Sequence, residues 1–493
     1  MSQPVPTSQS YSRRWWVLAI VGIAQLMIVL DVTIMNIALP SAQRDLGFSD
    51  DLRQWIVTAY SLTFGSLLLV GGRLSDMIGR KVTFVIGLAG FAGASAFGGA
   101  AQNFAMLATA RAIQGLFGAL LAPAALSLLT TTFASSKDRP KAFAIYGAIA
   151  GAGGAVGLLL GGVLTEYLSW RWCLYVNVIF AVLGLIGAAV LLVRQRADDT
   201  PNLDWPGTVA AVSGLFCVVY GLANAETHPW SAPQTWAFLV AGAAILTLFV
   251  LVEARAPHPL LPLRVPGDRG RGGSYLAVFI SGAGMFGVFL FLTFYLQDML
   301  GYTPVTTGLA FLPVVAGVMA AAQLSTIVLL PRIGPRIPIT AGMILGAAGM
   351  AWLTGISVSG DYPVQVLPQS ILVGLGMGFI IAPAMNVATM GVRAADAGVA
   401  SATVNTSQQI GGSIGIALLS SLATSAATRY LAGRPPTPAV RAQAALHSYT
   451  TAFWWSAAIF AAGAVVCGLL LRSGKVQAPA TEGVPSESVS AAL

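Results

Sequence analysis

The chain has 493 residues, 56% of them hydrophobic and only 9% charged, with a mean hydropathy of +0.77. A soluble chain of this size carries about a quarter charged residues, so the composition excludes a water-soluble globular protein and places most of the chain in lipid. The net charge of +8 would raise nucleic-acid binding in a soluble protein, but here it sits in the connections between apolar runs, and no nucleic-acid partner is expected.

In chain order the apolar runs fall at 15–39, 54–71, 82–100, 104–133, 142–165, 172–193, 205–224, 234–252, 274–297, 306–330, 338–356, 366–390, 400–424 and 449–471. Runs of about 20 residues without period-two alternation are helices, not barrel strands, so an all-α integral membrane protein with 14 transmembrane helices is predicted. The first run follows Arg13 and Arg14 and is too long for a cleaved signal core, which makes it a retained helix. Cys173, Cys217 and Cys467 lie inside apolar segments and are expected to be small packed side chains without a disulfide framework.

An even number of spans puts both termini on one side. Of the 26 Lys and Arg, six (Arg44, Arg53, Arg171, Arg429, Arg434, Arg441) fall in the loops of one side, Arg111 lies within a span, and the other nineteen fall in the loops of the side that holds the termini. Basic residues accumulate in cytoplasmic loops, so both termini are predicted to be cytoplasmic, including the segment 1–14 and a polar, disordered tail at 474–493.

The spans also repeat. GGRLSDMIGRK (71–81) follows the second span, and LPRIGPRIP (330–338), a thinner echo, follows the tenth. The fifth span holds GAIAGAGGAVGLLLGG and the thirteenth IGGSIG. Two similar six-helix bundles, 15–193 and 274–471, with two inserted helices at 205–252, would put these pairs in matching places. Repeats of this kind build alternating-access transporters, with the substrate site between the halves near the bilayer midplane.

Together these residues resemble the major facilitator superfamily, and within it the fourteen-helix drug:proton antiporter branch. GRLSDMIGRK (Gly72–Lys81) is similar to the family's signature in the second-to-third loop, RAIQGLFGA (Arg111–Ala119) to its helix 4 signature, and LDVTIMNIALP to the helix 1 signature of that branch. SWRWCLYVN (169–177) and the stretch Ala397–Gly415 add to the likeness, which covers nearly the whole chain. The resemblance implies a major facilitator fold in the cell membrane and a secondary active transporter that couples efflux of small amphiphilic compounds, such as drugs or antibiotics, to protons. A monomer without cofactors or metals is expected, and no enzymatic activity. Leu158 follows Gly157 where the export branch usually carries Pro, which keeps open a uniporter or importer of a small metabolite, or a non-transporting sensor with the same fold.

Asp31 is the acid to explain, because at the middle of a membrane helix it costs roughly 2.5–3.5 kcal/mol. Counted from the predicted ends of their helices, Asp31 and Arg111 lie at one depth, about 12 Å in, and are predicted to face each other across a wet cavity. Burial favours the neutral acid and a nearby Arg favours the anion, so such a pair suits proton coupling, with proton and substrate competing for the region.

Gln114, one turn on from Arg111, either hydrogen-bonds substrate or holds the Arg. Met285, Phe286, Phe289 and Tyr295 either line an adaptable apolar pocket or serve packing. Asn405, Gln408 and Gln409 are expected to face the interior, for hydrogen bonds between helices or for substrate. The second-to-third loop, with Gly72, Arg73, Asp76, Gly79 and Arg80, reads as a conformational latch in which Asp76 reaches a helix N-terminus or an Arg. Gly147, Gly151, Gly153, Gly157 and Gly161 form a smooth face expected to allow close helix contact and slides between the halves. Glu166 and Arg171 are expected to pair locally, and Asp298 to play a structural part.

Overall fold

The computed structural model describes residues 8–133, 138–192, 204–228, 230–256, 259–390, 392, 397–435 and 437–471, all helical or irregular with no strand among them. In chain order we label α1 Ser8–Leu46, α2 Asp50–Ile78, α3 Arg80–Gly99, α4 Phe104–Thr132, α5 Arg139–Tyr167, α6 Trp172–Leu191, α7 Trp205–Thr227 and α8 Pro233–Glu253. There follow α9, Arg269–Phe294 with a π-helical turn at Tyr295–Met299, and α10, Pro304–Ile333, broken by a second π-helical stretch at Leu324–Leu329. The remainder are α11 Arg336–Leu353, α12 Leu367–Thr389, α13 Ala397–Leu431 and α14 Pro438–Leu470. Twelve of these are long and apolar enough to cross a membrane, and the other two, α2 and α5, are 29 residues each.

The protein is therefore a multi-pass membrane protein. Several helices outrun their apolar cores: α1 passes through Pro40 to Leu46, beyond the predicted stop at residue 39, and α14 begins at Pro438, well before residue 449. Hydropathy marks the lipid-facing stretch, while the polar turns beyond it stay helical by capping, as where Thr437 Oγ1 accepts from Val440 N at 3.3 Å.

The packing repeats with an offset of eight helices. Within the first six, α1 packs on α4, α5 and α6, α4 on α2 and α3, and α3 on α6. Within the last six, α9 packs on α12, α13 and α14, α12 on α10 and α11, and α11 on α14. The two sets meet along α2–α13 and α5–α10, which the same offset interchanges, and α7 lies over the α2–α13 seam with α8 against it. The turns echo each other too: Gly79, between α2 and α3, has φ 95°, and Gly334, between α10 and α11, has φ 74°. Both are left-handed positions that only glycine adopts without strain.

The glycine face packs α5 onto α1, inside the first six helices. A Cβ on Gly153 would stand 3.2 Å from Leu26 Cδ1, and one on Gly161 would stand 2.9 Å from Ile34 Cγ1. On Gly157 it would collide with Thr33 Oγ1. The sequence-based expectation of slides between the halves is thus corrected for these three: they fix two helices of one set, and it is their neighbour Gly162 that meets Pro304 and Val305 across the seam. Gly411 and Gly415 of α13 press on α9 at Phe279 and Ala283, the matching contact eight helices on. Gly147 and Gly151 lie outside the residues whose surroundings are described.

Candidate functional site

We call the end of the molecule that carries the α1–α2 turn the Gly47 end, and the opposite one the Gly79 end. Asp31 lies in the interior of α1 and Arg111 two turns into α4, whose start is fixed by Asn103, its side chain accepting from Met106 N at 2.9 Å. Arg111 Nη1 donates to Asp31 Oδ2 at 2.6 Å, with Asp31 0% and Arg111 1% exposed. The pairing read from the sequence is present, but the wet cavity is not: the charges touch directly inside the first six helices. Their distances from the helix ends differ, because α1 continues past Pro40 to Leu46 whereas α4 begins at Phe104, two turns before Arg111.

Gln114 of α4 and three more helices complete the shell. Gln114 Nε2 of α4 donates to Asp31 Oδ1 at 3.0 Å and to Ser95 Oγ of α3 at 2.7 Å, while its Oε1 accepts from Arg111 Nη1 at 2.8 Å. Asn177 of α6 donates through Nδ2 to Asp31 Oδ1 at 2.7 Å. From α2, Ile56 O accepts from Arg111 Nε at 3.4 Å, and the Tyr60 ring lies under the guanidinium, 4.4 Å from its centroid. A buried ion pair persists only where further hydrogen bonds satisfy both partners, and this shell supplies them. Asn177, Ser95 and Tyr60 escaped the sequence reading. The one available signal was Asn177 closing the SWRWCLYVN stretch, a polar residue within an apolar run.

The other predicted residues are scattered. Phe289 packs at a tilt against Phe311, ring centroids 5.1 Å apart, and Tyr295 donates to Ser357 O at 2.8 Å; both are buried on α9, which favours packing over pocket lining, the two readings open for them. Met285, Gln408 and Gln409 are half-buried and Asn405 is exposed. The side chains of Phe286 and Asp76 lie outside those described; of the segment read as a latch, Gly79 makes the α2–α3 turn, and a Cβ on Gly72 would stand 3.7 Å from Pro123 Cβ. Arg73 and Arg80 both have partners.

The expected Glu166–Arg171 pair is replaced by two others. Arg171 Nη1 bonds Asp45 Oδ2 at 2.6 Å, which Trp170 Nε1 also reaches at 2.9 Å, and Glu166 Oε2 accepts from Val305 N at 3.0 Å in the first turn of α10. Asp298 pairs with Arg53 at 2.8 Å. Cys173 and Cys467 are buried, Cys217 half-buried, and all three are free thiols.

Among the described residues the Asp31–Arg111 pair is a wholly buried ion pair, and it lies inside the first of two repeated helical sets. Residues 21–416 match the Major Facilitator Superfamily. The chain belongs to that family. It is a transport protein and not an enzyme. It is 48% identical over 94% of its length to the puromycin resistance protein pur8 of Streptomyces alboniger, covering 92% of that protein. To the cephamycin export protein CmcT of Amycolatopsis lactamdurans it is 40% identical over 80% of this chain and 82% of the relative, and to the lincomycin resistance protein of Streptomyces lincolnensis 34% over 83% and 84%. The crystal structure of a peptide transporter, POT, in complex with sulfate superposes with a TM-score of 0.63 over 92% of this chain and 95% of that one; at 17% identity the likeness concerns the fold alone.

Proposed function

We propose that this transporter of the major facilitator superfamily exports a small amphiphilic compound, of the antibiotic kind after which its relatives are named, in exchange for protons. The observation that carries the proton half is the Asp31–Arg111 pair, 2.6 Å apart and wholly buried. Ionisable residues inside membrane helices are costly and rare, and they mark proton relays and substrate pathways, which supports a titrating role for the pair. The relatives' names support the export half. One proton entering down a 100 mV potential yields about 2.3 kcal/mol, which sustains an approximately fiftyfold gradient of an uncharged substrate.

In this reading all fourteen helices cross the bilayer. At about 1.5 Å per residue, α2 and α5 are long enough for a hydrocarbon layer of roughly 30 Å. The eight-helix offset supports two six-helix bundles, 15–193 and 274–471, with 205–252 inserted, and the Lys and Arg distribution supports a cytoplasmic Gly79 end. The transporter works as a monomer. The cross-bundle links Arg53–Asp298, Glu166–Val305 and Gln297 Nε2–Ile37 O (3.1 Å) lie at the Gly47 end, with Ser413 Oγ–Ser61 O (2.8 Å) farther along the α2–α13 seam; in this reading the Gly47 end is the closed gate of this conformation, and alternating access breaks its links.

The test is purified protein in proteoliposomes with an imposed pH gradient, using puromycin, cephamycin and lincomycin as probe substrates. Uphill substrate movement driven by the gradient and lost in Asp31→Asn is expected. Substrate flux that ignores the gradient, or uphill flux unchanged in Asp31→Asn, overturns the coupling.

A further inference from the structure

Resting on the proton-coupled reading, we propose that Asn177 is a positioning residue that reports the protonation state of Asp31, its side-chain amide reversing when the acid takes up a proton. The warrant is the donor pattern around the carboxylate. Oδ2 carries the charged contact, Arg111 Nη1 at 2.6 Å, so a proton is repelled less on Oδ1, the oxygen turned away from the guanidinium. On Oδ1 it has to point at an acceptor. Both neighbours of Oδ1, Gln114 Nε2 at 3.0 Å and Asn177 Nδ2 at 2.7 Å, are donors in the arrangement observed, so one amide has to turn.

Gln114 is held against turning. Its Oε1 accepts from Arg111 Nη1 at 2.8 Å, and its Nε2 also serves Ser95 Oγ at 2.7 Å, so reversal would set two donors against each other. Asn177 is not held. Its Oδ1 is buried, the residue is 0% exposed, and that oxygen accepts no hydrogen bond from any described residue. Rotation by half a turn about χ2 presents this oxygen to the protonated acid. One amide thus binds the anion as donor and the acid as acceptor, which neither Arg111 nor Gln114 can do.

Of the other described ionisable groups around Asp31, none hydrogen-bonds its Oδ1. From α4 there is Arg111; from α2 Tyr60, whose hydroxyl is buried with no partner described; and from α6 Cys173, paired with Thr165 Oγ1 at 3.3 Å. On α5 the described acid is Glu166, engaged with α10, and on α9 Asp298, engaged with Arg53.

The sign of the effect follows. A hydrogen bond to the anion is roughly twice as strong as one to the neutral acid, so removing the amide costs the anion more and the proton is kept to higher pH. In Asn177→Leu the midpoint of the pH profile of gradient-driven transport should rise by about one pH unit, a tenfold change in proton affinity. Asn177→Thr, whose hydroxyl both donates and accepts, should restore the native midpoint. Infrared difference spectra of the native protein between acid and neutral pH should show a side-chain amide carbonyl band that titrates together with the Asp31 carboxyl band and is absent in Asn177→Thr. A native midpoint in folded Asn177→Leu, or no titrating amide band, overturns the inference. The coupled-transport reading fails separately, through intact gradient-driven flux in Asp31→Asn.

Discussion

Arg53 Nη1 of α2 stands 2.8 Å from Asp298 Oδ2 of α9, and the same guanidinium lies over the Phe294 ring, 4.1 Å from its centroid. The pair joins the first six helices to the last six at the Gly47 end. Its side chains are 11% and 36% exposed, so it is worth more than a free surface pair but remains breakable.

Loss of this link should favour opening of that end. In Arg53→Ala or Asp298→Asn, distances between spin labels on the α1–α2 and α9–α10 turns are expected to gain a longer component, with the open population rising about two- to tenfold. An unchanged distance distribution in both variants removes the gate assignment.

The buried pair makes a different prediction about stability. Asp31→Leu alone leaves Arg111 charged and unpartnered, which costs about 3–5 kcal/mol, whereas Asp31→Leu with Arg111→Met should recover most of the melting temperature because well-packed apolar replacements of buried ion pairs are close to neutral. Gradient-driven transport should stay absent in the double variant. Thermal unfolding in detergent and flux in vesicles read the two properties separately.

Tyr60 offers a test of the cation–π contact. Tyr60→Phe keeps the ring under Arg111 and deletes a buried hydroxyl without a described partner, so stability should stay level or rise by up to about 1 kcal/mol. Tyr60→Leu removes the ring and should lower stability by about 1–2 kcal/mol. Equal melting temperatures for Phe and Leu would show that the ring contributes only bulk.

The α5 glycines are not equivalent. Gly157→Ala puts a methyl group into Thr33 Oγ1 and should cost about 1–3 kcal/mol, while Gly154→Ala, where a Cβ meets nothing within 4 Å, should be neutral or slightly stabilising. Melting curves of the two single variants suffice.

Hydropathy and charge made the helices, their order and the repeat legible, because a membrane helix must be apolar along its whole exposed length. They misplaced the ends of α1 and α14, whose polar turns continue the helix outside the apolar layer. Asp31 and Arg111 were legible for a related reason: each is too costly to bury alone, so each implied the other. Asn177 and Ser95 carry no such penalty signal, since an amide or hydroxyl in a long helix satisfies many roles, and only the fold brings them to the carboxylate from α6 and α3. The same limit explains Glu166. It looked like the neighbour of Arg171 in the chain, but Arg171 is held by Asp45 from the end of α1, which frees Glu166 for α10.

The complete burial of Asp31 has one more consequence. Under the proposed proton coupling, a carboxylate 0% exposed and held by two amides and a guanidinium would exchange hydrogen ions only while neighbouring helices are in motion. Such an arrangement would guard against leak: without a stroke of the machine, the ion gradient across the membrane would not be dissipated.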